Sequence, residues 1–543
     1  MVSTNIQQKK VIIIGAGISG LKAASDLYRN GVKDILILEA RNRIGGRLLT
    51  LRTPEGNTYD LGASWFHDTL SNPLFQKYVL NQDHTKIHYD DINTEVYGYT
   101  ENYENDNDSP DKGFKVPHSW GLESVVGEME KFIESSMEFN DLNVEDTILF
   151  NTVIEYIYSR RKVLTSDQIK YAPELLRILE LWHGIDWKMM SSKYSLCENE
   201  GRNASNMDGY SKILEDILNS IPDSENIIKT GIQVKEIAKI DNYSKVKITT
   251  VNGESIVADY VIVTVPQSIL ALPDTDAGSI DFVPKLPQYI SEPLKKMHFN
   301  ALGKVVFEFK STKDIFWNTD IDKFTVLAKP DKLFSKFAQD LDNCRKQNQG
   351  EIYKPDDETS TIPIDLHSKY YNFKENPQNI PKYYEHPIVF LSYYNSKKLP
   401  SLVALVQSPV TNYIESVSLE EAWEFLKPAL FVLANNQNDK RHSSKFKTLA
   451  DLPIPKNIFK SNWTRDPFSR GSYAGCAPGD DPTDLIIGLS KGFGTNIRFA
   501  GEHTIFEGAG CAHGAWLSGK REANYVLNEL GVLKEESMYI DED

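Results

Sequence analysis

A short apolar run, a glycine-rich turn and a helical pattern follow one another in the segment VIIIGAGISGLKAASDL, which begins at Val11. The apolar residues 11–14 predict a parallel strand that is buried on both faces. Gly15, Gly17 and Gly20 have the spacing G-x-G-x-x-G. This spacing is typical of a tight turn that brings the backbone close to a pyrophosphate and packs a helix against the strand. We therefore expect a nucleotide-binding βα unit near the start of the chain.

The next apolar segment, DILILEA, predicts a second parallel strand and ends in Glu39, nineteen residues after Gly20. A carboxylate at this place accepts hydrogen bonds from both hydroxyl groups of a ribose and repels a 2′-phosphate. NADP is therefore not expected. We place Ala40 and Arg41, which follow directly, in the same dinucleotide site.

A glycine pair followed by an arginine helps to choose between NAD and FAD. Gly45, Gly46 and Arg47 stand in EARNRIGGRLLT, shortly after Glu39. Backbone N–H groups and a guanidinium can meet at one pyrophosphate, because a guanidinium binds phosphate with two parallel hydrogen bonds. This extended pattern resembles the FAD-binding fingerprint of the flavin amine oxidases and favours FAD.

Composition limits the function classes that need to be considered. The chain has 543 residues, which is enough for more than one domain, and a net charge of −16, which argues against a nucleic-acid partner. Its four cysteines form no CxxC pair, so we expect no metal site and a reducing compartment. No apolar stretch has the length of a membrane span or a signal peptide. These features favour a cytoplasmic protein that does not bind a membrane.

Several longer segments resemble the flavin-containing amine oxidase superfamily, and most closely the fungal polyamine oxidases of the spermine-oxidising type. The segments include DLGASWFHDTLSNPLF, LELWHGIDWK, EGRNA, KKMHFNALGKVVFEF, SNWTRDPFSRGSYAGCAPGDDP and FAGEHTIFEGAGCAHGAW, in that order along the chain. The resemblance therefore covers nearly the whole sequence.

The resemblance implies an α/β fold with two domains, each assembled from separated segments. One is a doubly wound, Rossmann-type FAD-binding domain, expected at 8–66, 225–275 and 460–532. The other is a substrate domain with a mixed sheet flanked by helices, expected at 67–224 and 276–459. Two polar segments, 342–384 and 435–444, read as surface insertions.

The reaction implied by the resemblance removes a hydride from a carbon next to an amine nitrogen and passes it to the flavin. Lys296 in KKMHFNALGK is then expected near flavin N5, with Lys304 as the rival position. His67 in GASWFHD is expected to form a hydrogen bond with a substrate amine and to titrate near the working pH. Lys296 and His67 are the predicted catalytic residues.

Other positions are assigned to the substrate by the same resemblance. Trp463 and Tyr473 resemble an aromatic pair that faces the flavin ring and favours an amine by cation–π attraction. Trp65, Trp182 and Asn203 match positions along the substrate tunnel. We also predict that Asp90 and Asp91 hold a distal ammonium group.

The remaining cofactor-binding residues follow from the family motifs. They are Gly62, Ala63, Ser64, Trp65, Val234, Trp463, Gly501, Glu502, Gly510, Cys511 and Ala512. Cys476 stands near the position where monoamine oxidases attach their flavin covalently. The surrounding SRGSYAGCAPGDDP resembles the polyamine oxidase version instead, so we expect FAD to be bound non-covalently.

The function favoured by the sequence is a polyamine oxidase. It would use O2 to convert spermine or N-acetylspermine to spermidine, an aminopropanal and H2O2, as a monomer or a homodimer. One alternative is an oxidase of other amines, such as a monoamine oxidase or a histone-demethylase-like enzyme. Another is a non-catalytic protein that holds a hydrophobic ligand, such as a steroid, on the same fold.

Overall fold

A computed structural model describes residues 7–81, 85–99, 113–137, 146–196, 201–347, 352–355, 371–434 and 446–533. The α-helices of these ranges are Ile18–Arg29, Pro73–Phe75, Leu122–Ser136, Leu149–Arg160, Ser166–Leu176, Leu179–His183, Tyr210–Asn219, Ser224–Ile227, Gln267–Leu270, Gln288–Lys296, Lys332–Gln347, Tyr393–Lys397, Val410–Ser416, Leu419–Ala434, Pro482–Lys491 and Ala512–Glu529. A stretch of π-helix covers Gln76–Asn81. Among the described helices, none is long and apolar enough to cross a membrane.

The first sheet has parallel strands at its centre. Gln7–Ile14 pairs in parallel with Ile35–Leu38 on one side and with Ser255–Val263 on the other. Ile497–Phe499 also pairs in parallel with Ser255–Val263. The sheet is completed, within the described residues, by Ile228–Lys229, Val234–Ile240, Lys245–Thr250 and Asp281–Val283.

Both faces of this sheet are covered, which explains the unbroken apolar runs in the sequence. Ile13 packs with the helices Ile18–Arg29 and Ala512–Glu529 on one face. Ile12 and Ile14 point to the other face and join a separate apolar cluster there. Successive side chains of a strand point to opposite faces, so a strand covered on both sides needs apolar residues at every position.

The second sheet is largely antiparallel. Its strands, in spatial order, are Asn457–Lys460, Leu302–Glu308, Ser401–Gln407, Ile388–Ser392, Lys323–Val326, Thr94–Tyr99 and Gly113–Lys115. The pair Lys323–Val326 and Thr94–Tyr99 is parallel, so the sheet is mixed. The helix Leu419–Ala434 packs against it through an apolar and aromatic cluster. The predicted α/β class, with a doubly wound part and a mixed sheet flanked by helices, is confirmed.

Three small sheets connect these parts. Thr50–Arg52 pairs with Thr58–Asp60, and His298–Asn300 pairs with Tyr473–Gly475. The third small sheet consists of Trp65–Phe66, Ala204–Asn206 and Ile87–His88. It brings the segments around His67 and Asn203 together although they are far apart in sequence.

The observed strands and helices cross two of the boundaries expected from the sequence. Asp281–Val283 was assigned to the substrate domain, but it pairs with Val234–Ile240 and so extends the first sheet beyond the expected boundary at 275. The expected insertion at 342–384 begins inside the helix Lys332–Gln347. Much of that insertion, and all of 435–444, lies outside the described residues.

Candidate active site

A large cavity lies between the two sheets. Its walls include Ile14 and Leu38 from the first sheet and Leu302 and Lys304 from the second. Clefts of this kind, lined by apolar side chains with a few polar groups, are where small-molecule ligands and cofactors usually bind.

Nearly all predicted cofactor residues line this cavity. They are Gly15, Gly17, Glu39, Ala40, Arg41, Gly46, Arg47, Gly62, Ala63, Ser64, Trp65, Val234, Trp463, Gly501, Glu502, Gly510, Cys511 and Ala512. Gly20 is the exception, because it lies behind the wall. A Cβ atom at Gly20 would approach the Gly15 carbonyl oxygen to 2.1 Å, so this glycine permits the helix to pack against the turn.

The first helix begins at the cavity. Gly17 immediately precedes Ile18–Arg29, and no described side chain caps the first turn of that helix. A Cβ atom at Gly17 would meet no described atom within 4 Å, because it would project into open space. Free N–H groups at a helix N-terminus favour an anion, and a phosphate group can approach closely only where the backbone carries no side chain.

Glu39 is fixed at the end of the neighbouring strand. It is buried, one of its carboxylate oxygens accepts a hydrogen bond from the Ala16 N–H at 2.8 Å, and the other accepts one from the Arg41 N–H at 2.9 Å. Each carboxylate oxygen can accept further hydrogen bonds. Glu39 is therefore oriented to receive hydroxyl donors from the cavity.

A second helix N-terminus also meets the cavity. Ala512–Glu529 begins after Cys511, and no described side chain caps it. Beside it, Glu502 accepts a hydrogen bond from Arg47 through Oε1 at 2.8 Å. Its other oxygen, Oε2, is buried and has no partner among the described residues. A buried acceptor without a partner indicates that a donor from a ligand belongs there.

The lysine of the cavity is Lys304, and the prediction of Lys296 is wrong. Lys296 lies exposed in the last turn of Gln288–Lys296 and does not line the cavity. Lys304 is only 4% exposed and follows Leu302 at a spacing of two on the same strand. Residues two apart on a strand face the same side, so both line the cavity. In the sequence Lys304 stands inside the apolar run LGKVVFEF, whereas Lys296 follows another lysine in a polar segment.

Among the described residues, no carboxylate oxygen accepts a hydrogen bond from the ammonium group of Lys304. Its Nζ donates to the carbonyl oxygens of Asp60 at 3.2 Å and Gly62 at 2.6 Å, and to the hydroxyl of Ser64. It also lies 4.9 Å from the centre of the Trp65 ring. Burial lowers the pKa of Lys304 to about 8, although the buried Asp60 side chain opposes the shift.

His67 is a second titratable group of the cavity wall. Its Nδ1 lies 3.1 Å from Oδ1 of Asn203. An amide oxygen can only accept, so Nδ1 carries the proton and Nε2 of the neutral ring is left as an acceptor. Burial lowers the pKa of His67, which favours this neutral form. Asn203 does not itself line the cavity but orients His67.

Two aromatic side chains form another wall. Trp463 donates its ring N–H to the Leu61 carbonyl oxygen at 2.9 Å, and Tyr473 donates its hydroxyl to the Leu181 carbonyl oxygen at 3.2 Å. Both rings line the cavity, as predicted. Trp182 does not line the cavity: it is 40% exposed, whereas its neighbour Leu181 on the same short helix is buried.

The two predicted acidic residues differ in their surroundings. Asp90 accepts hydrogen bonds from the Trp65 ring N–H and the Ser205 hydroxyl, both at 2.9 Å and on the same oxygen. It therefore stands directly behind Trp65, outside the cavity wall. Asp91 is exposed and paired with Arg202, whose hydrogen bonds lower the pKa of Asp91. Asp91 is thus already neutralised, which contradicts its predicted place beside the substrate.

Sequence reasoning missed several residues of the site. Asp60 is buried beside Lys304, and its side chain accepts from Thr50 at 2.5 Å and from the Tyr210 N–H at 3.3 Å. Burial raises the pKa of Asp60. Thr264 lines the cavity and donates its hydroxyl to the Ile14 carbonyl oxygen at 2.9 Å. Asp60 stands two positions before Gly62 in DLGASW, and this closeness in sequence was the only signal that Asp60 belongs to the site.

Comparisons with known proteins agree with the geometry. The family model described as flavin containing amine oxidoreductase matches residues 18–362 and 389–527. A corticosteroid-binding protein of Candida albicans is 34% identical over 540 residues, which covers 96% of each chain. A probable polyamine oxidase 4 of Arabidopsis thaliana is 25% identical, with 98% of this chain and 90% of the relative covered. Polyamine oxidase 5 of Oryza sativa is 25% identical, with coverages of 95% and 87%.

Proposed function

The chain belongs to the family of flavin-containing amine oxidoreductases, and we propose that within this family it is a polyamine oxidase. The proposed substrate is spermine or N-acetylspermine, and the products are spermidine, an aminopropanal and H2O2. One observation carries the proposal: a buried Lys304 and a neutral His67 share one cavity with the aromatic rings of Trp463 and Tyr473.

FAD is the cofactor of this family, and the residues of the cavity fit it. The open space at Gly17 and the uncapped helix after it suit a pyrophosphate. The acceptor Glu39 suits the hydroxyl groups of a ribose. The uncapped helix at Cys511 and the unpartnered oxygen of Glu502 suit further polar atoms of FAD. The predicted cofactor is thereby confirmed.

When bound, FAD accepts a hydride from the carbon next to an amine nitrogen. That nitrogen must be neutral, since its lone pair stabilises the positive charge that develops. His67 supports this state because its Nε2 can accept the proton of a substrate ammonium group. The buried cavity contributes as well, because desolvation disfavours the charged form of an amine.

Lys304 can hold either two or three protons close to the reacting centre. Its three oxygen contacts satisfy the three N–H groups of an ammonium. The Ser64 hydroxyl can also donate, so the bond between Ser64 and Nζ can reverse when Lys304 becomes neutral. With a pKa of about 8, both forms of Lys304 are populated in weakly basic solution.

A polyamine also carries charged nitrogens that do not react. Among the described residues, the only carboxylates that line the cavity are Glu39 and Glu502. Both belong to its cofactor part, the residues that would hold FAD. Asp90 stands behind Trp65, whose ring N–H it accepts, and so adds a negative charge behind this part of the wall. We propose that this charge attracts the distal ammonium group without direct contact.

The decisive experiment mixes the FAD-loaded protein with spermine in the absence of oxygen and follows the flavin absorbance. Rapid bleaching with spermine, and the order of rates among spermine, N-acetylspermine and spermidine, would support the proposal and rank the substrates. Bleaching by simple monoamines alone would replace it with another amine oxidase activity. A persistent yellow spectrum with every amine would reject oxidase function.

A second candidate function is the binding of an apolar ligand such as a steroid. The relative named corticosteroid-binding protein favours it, and so do the apolar side chains Leu61, Leu302 and Trp463 in the substrate part of the cavity. Equilibrium binding of a radiolabelled corticosteroid tests this candidate. Saturable binding that spermine displaces would place both ligands in one cavity, whereas binding without any flavin bleaching would favour this function over the oxidase.

We also propose that FAD is held without a covalent bond. Cys511 lines the cavity, whereas Cys476 does not, so the cysteine at the place of the monoamine oxidase linkage is absent from the wall. The test is to denature the protein in acid and precipitate it. A colourless pellet supports non-covalent binding, and a yellow pellet overturns it.

A further inference from the structure

A cluster of charged side chains is buried behind the aromatic wall of the cavity, and no step proposed above uses it. Arg177 donates to Glu180 at 2.7 Å and to Glu174 at 2.8 Å. His386 and Asp186 complete the cluster, and all five side chains are at most 7% exposed.

Glu180 is the centre of this cluster. Its Oε1 accepts from Nε of Arg177 and from the backbone N–H of Trp187 at 3.3 Å. Its Oε2 accepts from the Gln407 amide at 2.8 Å and lies 3.3 Å from Nδ1 of His386. Burial alone would raise the pKa of Glu180, but the Arg177 charge and the His386 hydrogen bond bring it down to about 2. Glu180 is therefore ionised and held from four directions.

Glu180 lies in the short helix Leu179–His183, next to the residue that anchors Tyr473. The carbonyl oxygen of Leu181 accepts the Tyr473 hydroxyl at 3.2 Å. The helix has no described side-chain cap of its own. Helices this short are not stable by themselves and depend on tertiary contacts for their position. The contacts of Glu180 supply that position.

A second connection joins Glu180 to the same wall. Gln407, which donates to Glu180, ends the strand Ser401–Gln407 and pairs with Leu302 of the neighbouring strand. Leu302 lines the cavity and lies two residues before Lys304. Glu180 is thus linked to both the tyrosine and the lysine side of the substrate part.

We propose that Glu180 is a positioning residue for Tyr473: it fixes the helix Leu179–His183, and the Leu181 carbonyl oxygen then holds the ring against the flavin position. Buried ion pairs often contribute little net stability, because the loss of hydration offsets the attraction. Their removal still disturbs the geometry of whatever they orient. The inference rests on the proposed role of Tyr473 in the substrate part of the cavity.

The test compares Glu180→Gln with Glu308→Gln as the matched control. Glu308 is also a buried carboxylate; it lies on the strand that carries Lys304, and it accepts from Asn57 at 2.6 Å and Tyr59 at 3.1 Å. It does not line the cavity. Both variants lose a buried charge, but only Glu180→Gln is expected to move the aromatic wall.

The first readout is the visible circular dichroism of bound FAD, which needs no substrate. Glu180→Gln and Tyr473→Phe are expected to change this spectrum in the same way, whereas Glu308→Gln leaves it unchanged. Equal changes in Glu180→Gln and Glu308→Gln, or an unchanged spectrum in Glu180→Gln, would overturn the proposal. Because no amine is added, this result does not depend on whether spermine is oxidised.

The second readout is kcat/KM for the amine in a double-mutant cycle. Glu180→Gln is expected to lower kcat/KM about tenfold in the wild-type background, which corresponds to one disturbed buried hydrogen bond. In the Tyr473→Phe background, which has already lost the anchor, the further decrease is expected to be less than about twofold. The same decrease in both backgrounds would show that Glu180 does not act through Tyr473.

His386→Gln is a milder variant for the case that Glu180→Gln does not fold. It replaces the imidazole beside Glu180 by a neutral, differently shaped amide and leaves the pair with Arg177 in place. It is expected to change the dichroism of bound FAD in the same direction as Glu180→Gln but less strongly. No change, together with a lowered urea midpoint, would assign the cluster to stability alone and overturn the proposal.

Discussion

The cofactor part and the substrate part of the cavity are built in different ways. In the cofactor part, backbone groups carry the recognition: two uncapped helix N-termini and a glycine whose missing side chain leaves room. In the substrate part, side chains carry it, and His67, Lys304 and Tyr473 come from segments more than 150 residues apart. The first kind of site depends on local sequence, and the second depends on how distant strands are placed.

The largest effect is expected from filling the space at Gly17. Gly17→Val adds atoms where no described atom lies within 4 Å of a Cβ, so the fold should be kept while the phosphate space is blocked. We expect FAD to bind at least about 100-fold more weakly, because close backbone approach to the pyrophosphate is lost. Titration of the apoprotein with FAD measures this, and far-UV circular dichroism checks the fold.

Gly127→Val is the control for Gly17→Val. Gly127 also has no described atom within 4 Å of a Cβ, but it lies in the helix Leu122–Ser136, away from the cavity. The Gly127→Val variant should bind FAD with the affinity of the wild type. Wild-type affinity in Gly17→Val would mean that the cofactor part does not depend on the backbone in the way described.

The substrate part is tested next by Lys304→Met. Loss of the buried amine is expected to slow anaerobic flavin reduction about 100-fold, a typical effect of removing a positioned proton-transfer group. It should also remove an ionisation near pH 8 from the pH profile of that rate. Lys296→Met is the control, because Lys296 is exposed and does not line the cavity. Slow flavin reduction in Lys296→Met, together with a normal rate in Lys304→Met, would instead support the prediction of Lys296 as the catalytic lysine.

His67→Ala is expected to have a smaller effect on the same reaction. It removes the acceptor Nε2 and leaves Asn203 without its partner, so flavin reduction should slow about tenfold and its pH profile should shift. Stopped-flow measurements across the pH range give both quantities. His118→Ala, at an exposed position, serves as the control. An unchanged rate and profile would remove His67 from the mechanism.

The smallest effect is a dependence of stability on pH. Burial lowers the pKa values of His503 and His513 from 6.5 to about 4. At these two histidines the unfolded chain takes up protons near pH 6.5 and the folded chain only near pH 4. Their contribution to the free energy of unfolding is therefore complete above pH 6.5 and is lost as the pH falls from 6.5 to 4.

Urea unfolding at several pH values measures this loss. His513→Gln keeps an amide nitrogen near Asp68, which lies 3.5 Å from His513, but does not titrate. Its stability should therefore fall less steeply below pH 6.5 than that of the wild type. Identical slopes for both proteins would show that His513 is not responsible.

The sequence predicted the cofactor part well because its signals lie close together. The glycines at 15 and 17, the acid at 39 and the arginine at 47 occupy one short segment, and all of them line the cavity. The spacing in such a unit is set by the dimensions of one strand, one turn and one helix. A pattern in the sequence therefore corresponds directly to positions in space.

The substrate part was predicted only in part. Trp65, His67, Trp463 and Tyr473 line the cavity as expected. Five other predicted residues do not line it: Lys296, Trp182, Asn203, Asp90 and Asp91. Each prediction rests on neighbouring residues in the sequence, which do not tell the direction of a side chain. A shift of one strand position, or a different face of a short helix, turns a side chain from the cavity to the solvent.

The sequence by itself determined the dinucleotide site, because hydrophobic periodicity and glycine spacing act over a few neighbouring residues, and its resemblance to the amine oxidases implied the family and the α/β class. Only the tertiary structure decided which lysine is buried, that Asp90 stands behind Trp65 while Asp91 pairs with Arg202, and that Glu180 lies behind Tyr473. These facts depend on strand register and on contacts between distant segments. Burial and pKa follow from those contacts, and no local pattern in the chain encodes them.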